Sequence, residues 1–492
     1  MDIRPNLDPA SETPLYRQLA SFIHDLVRAG RLSAGDRLPP TRDLATQLGL
    51  NRTTVSAAYE VLESEGLISG QVGRGSFIAP QAGQSSQSRA AGIDWVRFFE
   101  STAPAPRAPG LAGAGVVSFA ASRPSEELFP LPDFRSSAET VLASPDLGSI
   151  LQLGSPGGHE PLRRYLLENA RTEGVAGPTD DILVTNGCQQ ALDLLCRVLI
   201  RPGDNVVVED PVYPGVRNLF QHAGANLIGA GHGRDLAKLG SFLQSRNVRA
   251  VVLTPNFQNP SGETISEGIR ESVTEAVRRS GAVLIENDIY SQLRYSGDPL
   301  PALKRLDRTG DTVLLRSFSK IAFPGLRVGW MIGPRPLIAR LMEARQLADL
   351  HGDQFSQAVL LEFARSGRLA RHLDHMLETG RERLQTLLAA LETYMPEGVT
   401  YSSPEGGMNL WVKLPGGIDT FDLLQAAHRE GVTYIPGRHF AVSRPQHNAL
   451  RLSFAGLKPE AITAGVKSLA KAIATELETL DRNQREPVPA LV

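Results

Sequence analysis

The sequence predicts two folded parts: a small, mostly helical N-terminal part and a large α/β part built on a mostly parallel sheet. From residue 116 onward, short runs of Val, Ile and Leu alternate with longer amphipathic stretches, which is typical of a parallel sheet covered by helices on both faces. Residues 80–115, between the two parts, are rich in Pro, Gly, Ser and Ala and indicate a linker. We expect strands within residues 181–187, 205–211, 248–256, 281–288, 312–319 and 326–333.

The length of 492 residues accommodates one small and one large domain. We place the small domain at residues 1–79, the linker at 80–115, the large domain at 116–478 and a frayed tail at 479–492. The formal net charge of −2 gives the whole chain no attraction to nucleic acid, so contact with DNA would depend on a local basic patch.

The cysteine content and the hydropathy pattern indicate the compartment. Cys188 and Cys196 are the only cysteines, which is too few for a disulfide framework or a zinc site and favours a reducing environment. The N-terminal residues are polar, and no apolar run is long enough to span a bilayer. We therefore expect a cytoplasmic protein with no metal site and no membrane contact.

The N-terminal part has the spacing of a helix-turn-helix followed by a wing. The segment RDLATQLGL reaches the turn at Gly49 and leads into NRTTVSAAYEVLESEGL, so two helices are joined by a tight glycine-containing turn. The side chains at the start of the second helix would then face DNA bases and phosphates: Arg52, Thr53, Thr54 and Ser56. The segment GLISGQVGRGSFIA predicts two short strands around a loop whose arginine suits a minor groove or a phosphate, formed by Gly73, Arg74 and Gly75.

A second interpretation stays open from spacing alone, namely a small helical cap whose polar face is only solvated. Residues 1–80 hold eight arginines and nine acidic residues, so this part is not basic overall. Binding to DNA would depend on a cluster of four arginines and would weaken strongly with salt; these are Arg37, Arg42, Arg52 and Arg74.

The segment LPPTRDLATQLGLNRTTVSAAYEVLESEGLI resembles the winged helix of the GntR family of bacterial transcription regulators. The resemblance covers residues 14–79 and implies a DNA-binding domain. It also implies which positions face DNA: Arg42, Arg52, Thr53, Thr54, Ser56, Tyr59, Gly73, Arg74 and Gly75.

In the large part, polar residues follow the predicted strands at their carboxyl ends, where doubly wound sheets bind ligands. They supply an anion-binding helix start, an aromatic ring, a carboxylate, amide and hydroxyl donors, a lysine and an arginine. In chain order they are Gly187, Cys188, Gln189, Tyr213, Asn259, Asp288, Tyr290, Ser317, Ser319, Lys320 and Arg327. Each alone is explained by ordinary structure, but the set meets the needs of pyridoxal 5′-phosphate held by a lysine as a Schiff base. The carboxylate would keep the pyridine nitrogen protonated, so that the ring serves as an electron sink.

Residues 116–478 resemble the fold type I aminotransferases, which implies the same mostly parallel sheet with a smaller C-terminal α+β subdomain. The resemblance implies that Lys320 carries the cofactor as an internal aldimine and that Asp288 pairs with the pyridine nitrogen. It implies further roles for the remaining residues: Tyr290 and Asn259 at the ring hydroxyl, Tyr213 stacked on the ring, Gly187, Cys188, Gln189, Ser317 and Arg327 at the phosphate with Ser319 adjacent, and Arg451 of NALRLSFAG clamping a carboxylate. The sequence departs from the family at Leu153, where a tyrosine commonly reaches the phosphate of the neighbouring subunit.

A winged helix of the GntR type, a linker and an aminotransferase-like domain, in this order, resemble the MocR (GabR-like) subfamily of GntR regulators. This implies a pyridoxal-phosphate-dependent transcription regulator that senses an amine, an amino acid or the cofactor itself. It implies a homodimer that binds an operator with two half-sites, and leaves open a domain-swapped arrangement. Two alternatives stay open: an active aminotransferase with an accessory DNA-binding domain, and a regulator that keeps the fold as a cofactor-free scaffold.

Overall fold

The computed structural model describes residues 13–71, 75–79, 115–244 and 246–485, together with residues 5, 7, 8, 11 and 95. The chain divides into two compact units, residues 1–104 and residues 105–492. Most of the predicted linker, residues 80–115, lies outside the described residues. Among the described residues, no helix is both long and apolar enough to cross a membrane.

The N-terminal unit is three helices followed by an antiparallel hairpin. The elements are α1 (Leu15–Arg28), α2 (Thr41–Leu48), α3 (Arg52–Ser64), β1 (Ile68–Gln71) and β2 (Gly75–Ile78). Gly49 ends α2 with a φ of 65°, and the Asn51 side chain caps α3 by accepting the Thr53 N–H at 3.1 Å. The core is formed by one apolar face from each helix, including the fully buried Leu19, Ile23, Leu44, Val55 and Leu62. The helix-turn-helix with a two-stranded wing is therefore the fold of this unit.

The large unit is organised around a seven-stranded sheet. Its strands are β4 (Asp180–Thr185), β5 (Asn205–Val208), β6 (Asn226–Gly229), β7 (Val248–Leu253), β8 (Val283–Asn287), β9 (Val313–Ser317) and β10 (Gly329–Pro334). The spatial order is β4-β10-β9-β8-β7-β5-β6, and only β10 runs antiparallel to its neighbours. All six predicted strands are present. The prediction missed β6, a four-residue edge strand whose side chains are only partly buried.

Helices cover both faces of this sheet, as the continuous apolar strands predict. In β4, Ile182 and Val184 pack into one apolar cluster, whereas Leu183 between them packs into another. The helices up to this sheet and around it are α4 (Leu131–Leu142), α5 (Leu147–Ile150), α6 (Glu160–Thr172), α7 (Gly187–Leu199), α8 (Pro214–His222), α9 (Leu239–Gln244), α10 (Glu267–Ser280), α11 (Leu303–Leu306), α12 (Arg335–Asp349) and α13 (Gln354–Arg365). This arrangement leaves the carboxyl ends of the parallel strands as the open edge of the sheet.

A smaller α+β portion completes the unit. It contains α14 (Arg368–Tyr394), β11 (Thr400–Tyr401), β12 (Asn409–Lys413), α15 (Thr420–Arg429), β13 (Val432–Thr433), β14 (Ile435–Pro436), β15 (Ala449–Ser453) and α16 (Pro459–Arg485). An antiparallel sheet has the order β11-β12-β15-β14, and β13 pairs in parallel with β3 (Val117–Ser118). The predicted tail at 479–492 begins too early, because the helix-forming residues after position 479 extend α16 to Arg485. Residues 486–492 lie outside the described residues.

Candidate functional site

A cavity of about 330 Å³ lies at the carboxyl ends of β4, β7, β8 and β9. Its lining combines most of the residues that the sequence predicts for a cofactor site, although they come from widely separated segments. Those residues are Cys188, Gln189, Tyr213, Asn259, Tyr290, Ser317, Ser319, Lys320, Arg327 and Arg451. The lining also includes residues that the prediction missed, among them Ser122, Thr254 and Asn287.

Lys320 is the last residue of a single 3₁₀ turn that follows β9 directly. Its Nζ donates to the backbone carbonyl of Ser122 at 2.7 Å and lies 5.8 Å from the centroid of the Tyr290 ring. No carboxylate is found among the described residues that line the cavity. The amine of Lys320 is therefore held by a neutral acceptor inside the cavity, where a carbonyl compound could take it up covalently.

Arg327 forms one end of the cavity. Its backbone adopts the left-handed region, with a φ of 54°, and its guanidinium donates to the Ser319 hydroxyl at 3.3 Å and to the Asn186 carbonyl at 3.4 Å. A Cβ at Gly187, whose φ is 74°, would lie 2.5 Å from Arg327 Nη2. Position 187 therefore requires glycine for its backbone angle and for the space that the guanidinium occupies.

The helix α7 begins beside Arg327 and adds backbone N–H donors to the same end of the cavity. Ser317 and Ser319 are 3.0 Å apart through their hydroxyl oxygens. The Cys188 thiol donates to the Arg316 carbonyl at 3.3 Å, and burial raises the pKa of Cys188 to about 12, so it stays an uncharged thiol. A guanidinium, two hydroxyls and a helix N-terminus together suit a phosphate.

Arg451, in β15, provides a second cationic group in the cavity. It is 5% exposed, and its guanidinium donates to Asn259 Oδ1 at 3.1 Å and to the carbonyl of Ala120. Its Nε is buried with no hydrogen-bond partner among the described residues. Burial lowers the pKa of Arg451 to about 10, which still leaves it charged at neutral pH. An unpartnered N–H on a buried cation is the arrangement that a carboxylate ligand would complete.

Asp288 does not line this cavity, and its predicted place at the pyridine nitrogen requires correction. Its carboxylate accepts from Asn256 at 2.8 Å, from Ser291 at 2.8 Å and from Arg316 at 3.2 Å. Burial alone would lower the pKa of Arg316, but the charges of Asp288 and Glu173 raise it. The cation that a buried carboxylate needs is thus supplied by Arg316 on the neighbouring strand, outside the cavity.

The preceding residue, Asn287, lines the cavity instead of Asp288. It is the last residue of β8 and is 5% exposed. Its Nδ2 lies 3.5 Å from the Thr254 hydroxyl, and its Oδ1 is buried without a described partner. The sequence favours the charged neighbour, Asp288, because a carboxylate is the group expected at a pyridine nitrogen.

The remaining predicted residues of the large unit have clear positions. Tyr290 is almost fully buried, whereas Tyr213 is 40% exposed at the start of α8. Leu153 lies outside the cavity lining and is 73% exposed. The individual roles of these residues toward a cofactor stay predictions.

The cavity fits pyridoxal 5′-phosphate at three points and differs at a fourth. The end at Arg327 suits the phosphate, Lys320 suits the aldehyde, and Arg451 leaves an N–H free for the carboxylate of an amino compound. The glycine at 187 leaves room for the Arg327 guanidinium, which a side chain at this position would displace. The difference is the lack of a carboxylate among the described residues of the lining, where the end of β8 contributes the amide of Asn287 instead.

In the N-terminal unit, the residues predicted to face DNA are mostly accessible. Arg37, Arg42, Arg52 and Thr53 are exposed, and Thr54 and Ser56 are half-buried. The side chain of Arg37 packs beside Gly75, at the start of the second wing strand, where an added Cβ would lie 3.2 Å from Arg37 Nε. Gly73 and Arg74 lie outside the described residues.

Tyr59 is wrongly predicted to face DNA. It is only 6% exposed, and its hydroxyl donates to the Pro39 carbonyl at 2.8 Å. It belongs to the buried face of α3 together with Val55, Ala58 and Leu62. Tyr59 is therefore a core residue of α3, and burial raises the pKa of its hydroxyl.

Comparison with known proteins identifies both units. Residues 15–78 match the model for bacterial regulatory proteins of the gntR family, and residues 116–469 match aminotransferase class I and II. The rhizopine catabolism regulatory protein MocR of Rhizobium meliloti, described as probable, is 29% identical over 475 residues, covering 95% of each chain.

Other similarities concern the large unit. Aromatic-amino-acid aminotransferase 1 of Thermococcus litoralis is 36% identical over 372 residues, which are 74% of this chain and 89% of that protein. The structure of LysN, the α-aminoadipate aminotransferase of Thermus thermophilus, complexed with N-(5′-phosphopyridoxyl)-L-leucine, matches with a TM-score of 0.69 and 33% identity, covering 74% of this chain and 94% of that one.

These matches confirm the predicted fold, the cofactor pyridoxal 5′-phosphate and the DNA-binding domain. The chain therefore belongs to the MocR-type regulators of the bacterial gntR family, in which a winged helix-turn-helix precedes a pyridoxal-phosphate domain of the aminotransferase class I and II family.

Proposed function

We propose that this regulator senses a primary amine or an amino acid in the cavity around Lys320, and that occupancy of this cavity changes how the N-terminal unit binds its operator. When bound, pyridoxal phosphate supplies a carbon that joins reversibly to primary amines. The observation that carries the proposal is that one cavity contains an amine on Lys320 and an incompletely partnered cation on Arg451. A cofactor on Lys320 would take up the amino group of a ligand, and Arg451 would bind its carboxylate. These two ligand groups together distinguish an amino acid from most other small molecules.

In this proposal the residues of the chain have separate tasks. Arg327 and the start of α7 hold the phosphate end, so that the cofactor keeps its position when an effector replaces Lys320 as the attached amine. The Lys320 amine, once displaced, still has the Ser122 carbonyl as a hydrogen-bond acceptor. Arg451 orients an effector that carries a carboxylate. The changed state of the large unit would bias a two-state arrangement that the DNA-binding unit reports.

The experiment measures cofactor absorbance and operator affinity in the same samples of purified full-length protein. The protein amino acids and their decarboxylated amines are added one at a time, with the DNA upstream of the gene as the probe. We expect at least one amine to change the visible spectrum and the operator affinity over the same concentration range. Lys320→Ala should abolish both responses, whereas Lys238→Ala, at an exposed lysine outside the cavity lining, should change neither. Operator binding that still responds to the amine in Lys320→Ala would refute the proposal.

We also propose that the regulator is a cytoplasmic homodimer that binds two operator half-sites. Four leucines with large exposed fractions support it: Leu151 (68%), Leu153 (73%), Leu347 (90%) and Leu350 (57%). A Cβ on Gly154 would lie 2.5 Å from Gln354, so the segment of Leu153 runs beside the one that follows Leu350. Such an apolar surface is typical of a subunit contact. Replacing Leu347 with Arg should shift the sedimentation of the protein towards the monomer, and an unchanged dimer would exclude this surface.

A second candidate function is an active aminotransferase with an accessory DNA-binding domain. The 36% identity of the large unit with a Thermococcus litoralis aminotransferase favours it. Steady-state transfer of an amino group to a 2-oxo acid at rates on the order of 1–1,000 s⁻¹, together with no preferred DNA site, would support this function over sensing.

A further inference from the structure

The cavity has an unusual charge composition for a site that promotes loss of a proton from an amino acid. Among the described residues of its lining, three are cationic, Lys320, Arg327 and Arg451, and none is a carboxylate. The other titratable groups in this lining are Cys188, Tyr213 and Tyr290. No group among these provides the negative charge that would hold a proton on a pyridine nitrogen.

Two acids near the cavity, Asp288 and Glu209, do not line it. Asp288 is paired with Arg316 and accepts two further hydrogen bonds on the far side of the strand end. Glu209 accepts the Thr254 N–H at 2.9 Å behind the cavity, and burial raises the pKa of Glu209 to about 8, so it is mostly uncharged at neutral pH.

We propose that Asn287 is the residue that meets the pyridine nitrogen of the cofactor, and that its uncharged amide leaves this nitrogen without a proton. The cavity would then take up amines at Lys320 but remove their α-proton only slowly. This inference rests on the proposed function and specifies it, since it makes the site a sensor that retains its effector.

The amide of Asn287 can complete a hydrogen bond with the ring nitrogen without supplying charge. Its Oδ1 is buried without a described partner, and its Nδ2 makes only a long contact with Thr254 at 3.5 Å. A half-turn of the amide would place an N–H where Oδ1 now has no described partner, able to donate to a ring nitrogen, and would let the oxygen accept from the Thr254 hydroxyl. This satisfies both polar groups and requires a ring nitrogen with a free electron pair.

A carboxylate at the same place would act differently. An opposite charge within hydrogen-bonding distance typically shifts a pKa by about 1–3 units. On this basis Asn287→Asp should raise the pKa of the ring nitrogen by about 1–3 units. At a fixed pH well above the raised pKa, the protonated fraction of the ring nitrogen then increases roughly tenfold to a thousandfold. A protonated ring would supply the sink for the electron pair left on the α-carbon, and the freed amine of Lys320 would take up the proton.

The test uses full-length protein reconstituted with pyridoxal phosphate labelled with ¹⁵N in the ring. We expect the ¹⁵N chemical shift of the wild-type protein to be that of an unprotonated pyridine at neutral pH, and that of Asn287→Asp to move towards a pyridinium. Asp288→Asn is the matched control, and its ¹⁵N chemical shift should equal that of the wild-type protein. A pyridinium shift in the wild-type protein would overturn the inference, whether or not either variant folds.

A second measurement separates uptake from deprotonation. With L-alanine in D₂O, the change in cofactor absorbance reports uptake, and proton NMR reports exchange of the α-proton. For each bound L-alanine, Asn287→Asp should speed the exchange about tenfold or more, and equal exchange rates per bound ligand in both proteins would contradict the inference. A colourless protein, or a spectrum that survives Lys320→Ala unchanged, would instead refute the proposed function, so the two failures are distinguishable.

Discussion

Replacing Arg451 with glutamine should remove the preference of the cavity for amino acids over plain amines. Two of the five N–H groups of the Arg451 guanidinium donate to Asn259 and to the Ala120 carbonyl, and the Nε–H has no described partner. A ligand carboxylate that accepts from the remaining groups would form a charge-assisted pair inside a buried site. Glutamine keeps a polar group beside Asn259 but carries no charge.

The expected magnitude follows from the burial of Arg451, which is 5% exposed. Loss of one partner from a buried, hydrogen-bonded charge pair costs roughly 2–5 kcal/mol. This corresponds to a loss of affinity of about 30-fold to several thousandfold for a ligand with a carboxylate. Since two N–H groups of Arg451 are already engaged within the protein, we expect the lower half of that range.

The assay is a titration of cofactor absorbance with L-alanine and with ethylamine, which lacks the carboxylate. The ratio of the two affinities is the decisive quantity, because any loss of fold stability or cofactor affinity in Arg451→Gln affects both ligands alike. We expect the preference for L-alanine to disappear in the variant while the affinity for ethylamine changes by less than about threefold. If both affinities fall equally, Arg451 does not contact the carboxylate and serves only to hold Asn259 and the segment of Ala120.

Three further predictions concern the cofactor cradle, the DNA-binding unit and a buried acid. Gly187→Ala should weaken cofactor binding about tenfold or more in an absorbance titration, because a positive φ costs roughly 1–2 kcal/mol for alanine and the new Cβ displaces Arg327; unchanged affinity would contradict this. Tyr59→Phe should lower the free energy of unfolding by about 0.5–1.5 kcal/mol in denaturant titration, because it removes the hydrogen bond to Pro39, and should leave operator affinity nearly unchanged. Arg52→Ala should instead weaken operator binding by roughly 1–3 kcal/mol. The opposite pattern would place Tyr59 at the DNA. Burial raises the pKa of Glu209 from 4.5 to about 8, so the fold binds more protons than the unfolded chain between these pH values and loses stability as the pH rises through them. Glu209→Gln should remove a slope of up to about 1.4 kcal/mol per pH unit from the unfolding free energy in this window, and an unchanged slope would show that Glu209 is ionised throughout.

The sheet and the winged helix were predictable because their signals are local. Runs such as residues 250–253 are apolar on both strand faces, which is typical of a doubly covered sheet, and all six predicted strands are present. The edge strand β6 was not predictable in this way, since its four residues are only partly buried and lack a continuous apolar run. Similarly, the end of α16 depends on whether charged helix formers continue a helix at the surface, which apolar spacing does not decide.

The two errors in the site have a common physical origin. At the end of β8, Asn287 and its neighbour Asp288 point to different surroundings, and the sequence cannot show that Arg316 of the adjacent strand already neutralises the carboxylate. At Tyr59, the hydroxyl is satisfied by the Pro39 carbonyl, a contact between residues 20 positions apart. In both cases a polar group assigned to a ligand is satisfied within the protein, and only the three-dimensional neighbours reveal this.

The amide at position 287 also offers a reason why a sensor retains nearly the whole cavity of an aminotransferase. Attachment of an amine needs the phosphate end at Arg327 and the amine of Lys320, and Arg451 adds recognition of a carboxylate; all three residues line the cavity. Removal of the α-proton needs, in addition, a ring that can accept an electron pair. An enzyme benefits from both steps, but a sensor that converts its effector destroys the signal that it reports. In the proposed arrangement an uncharged amide at position 287 separates the two steps, so recognition is kept while turnover is slowed.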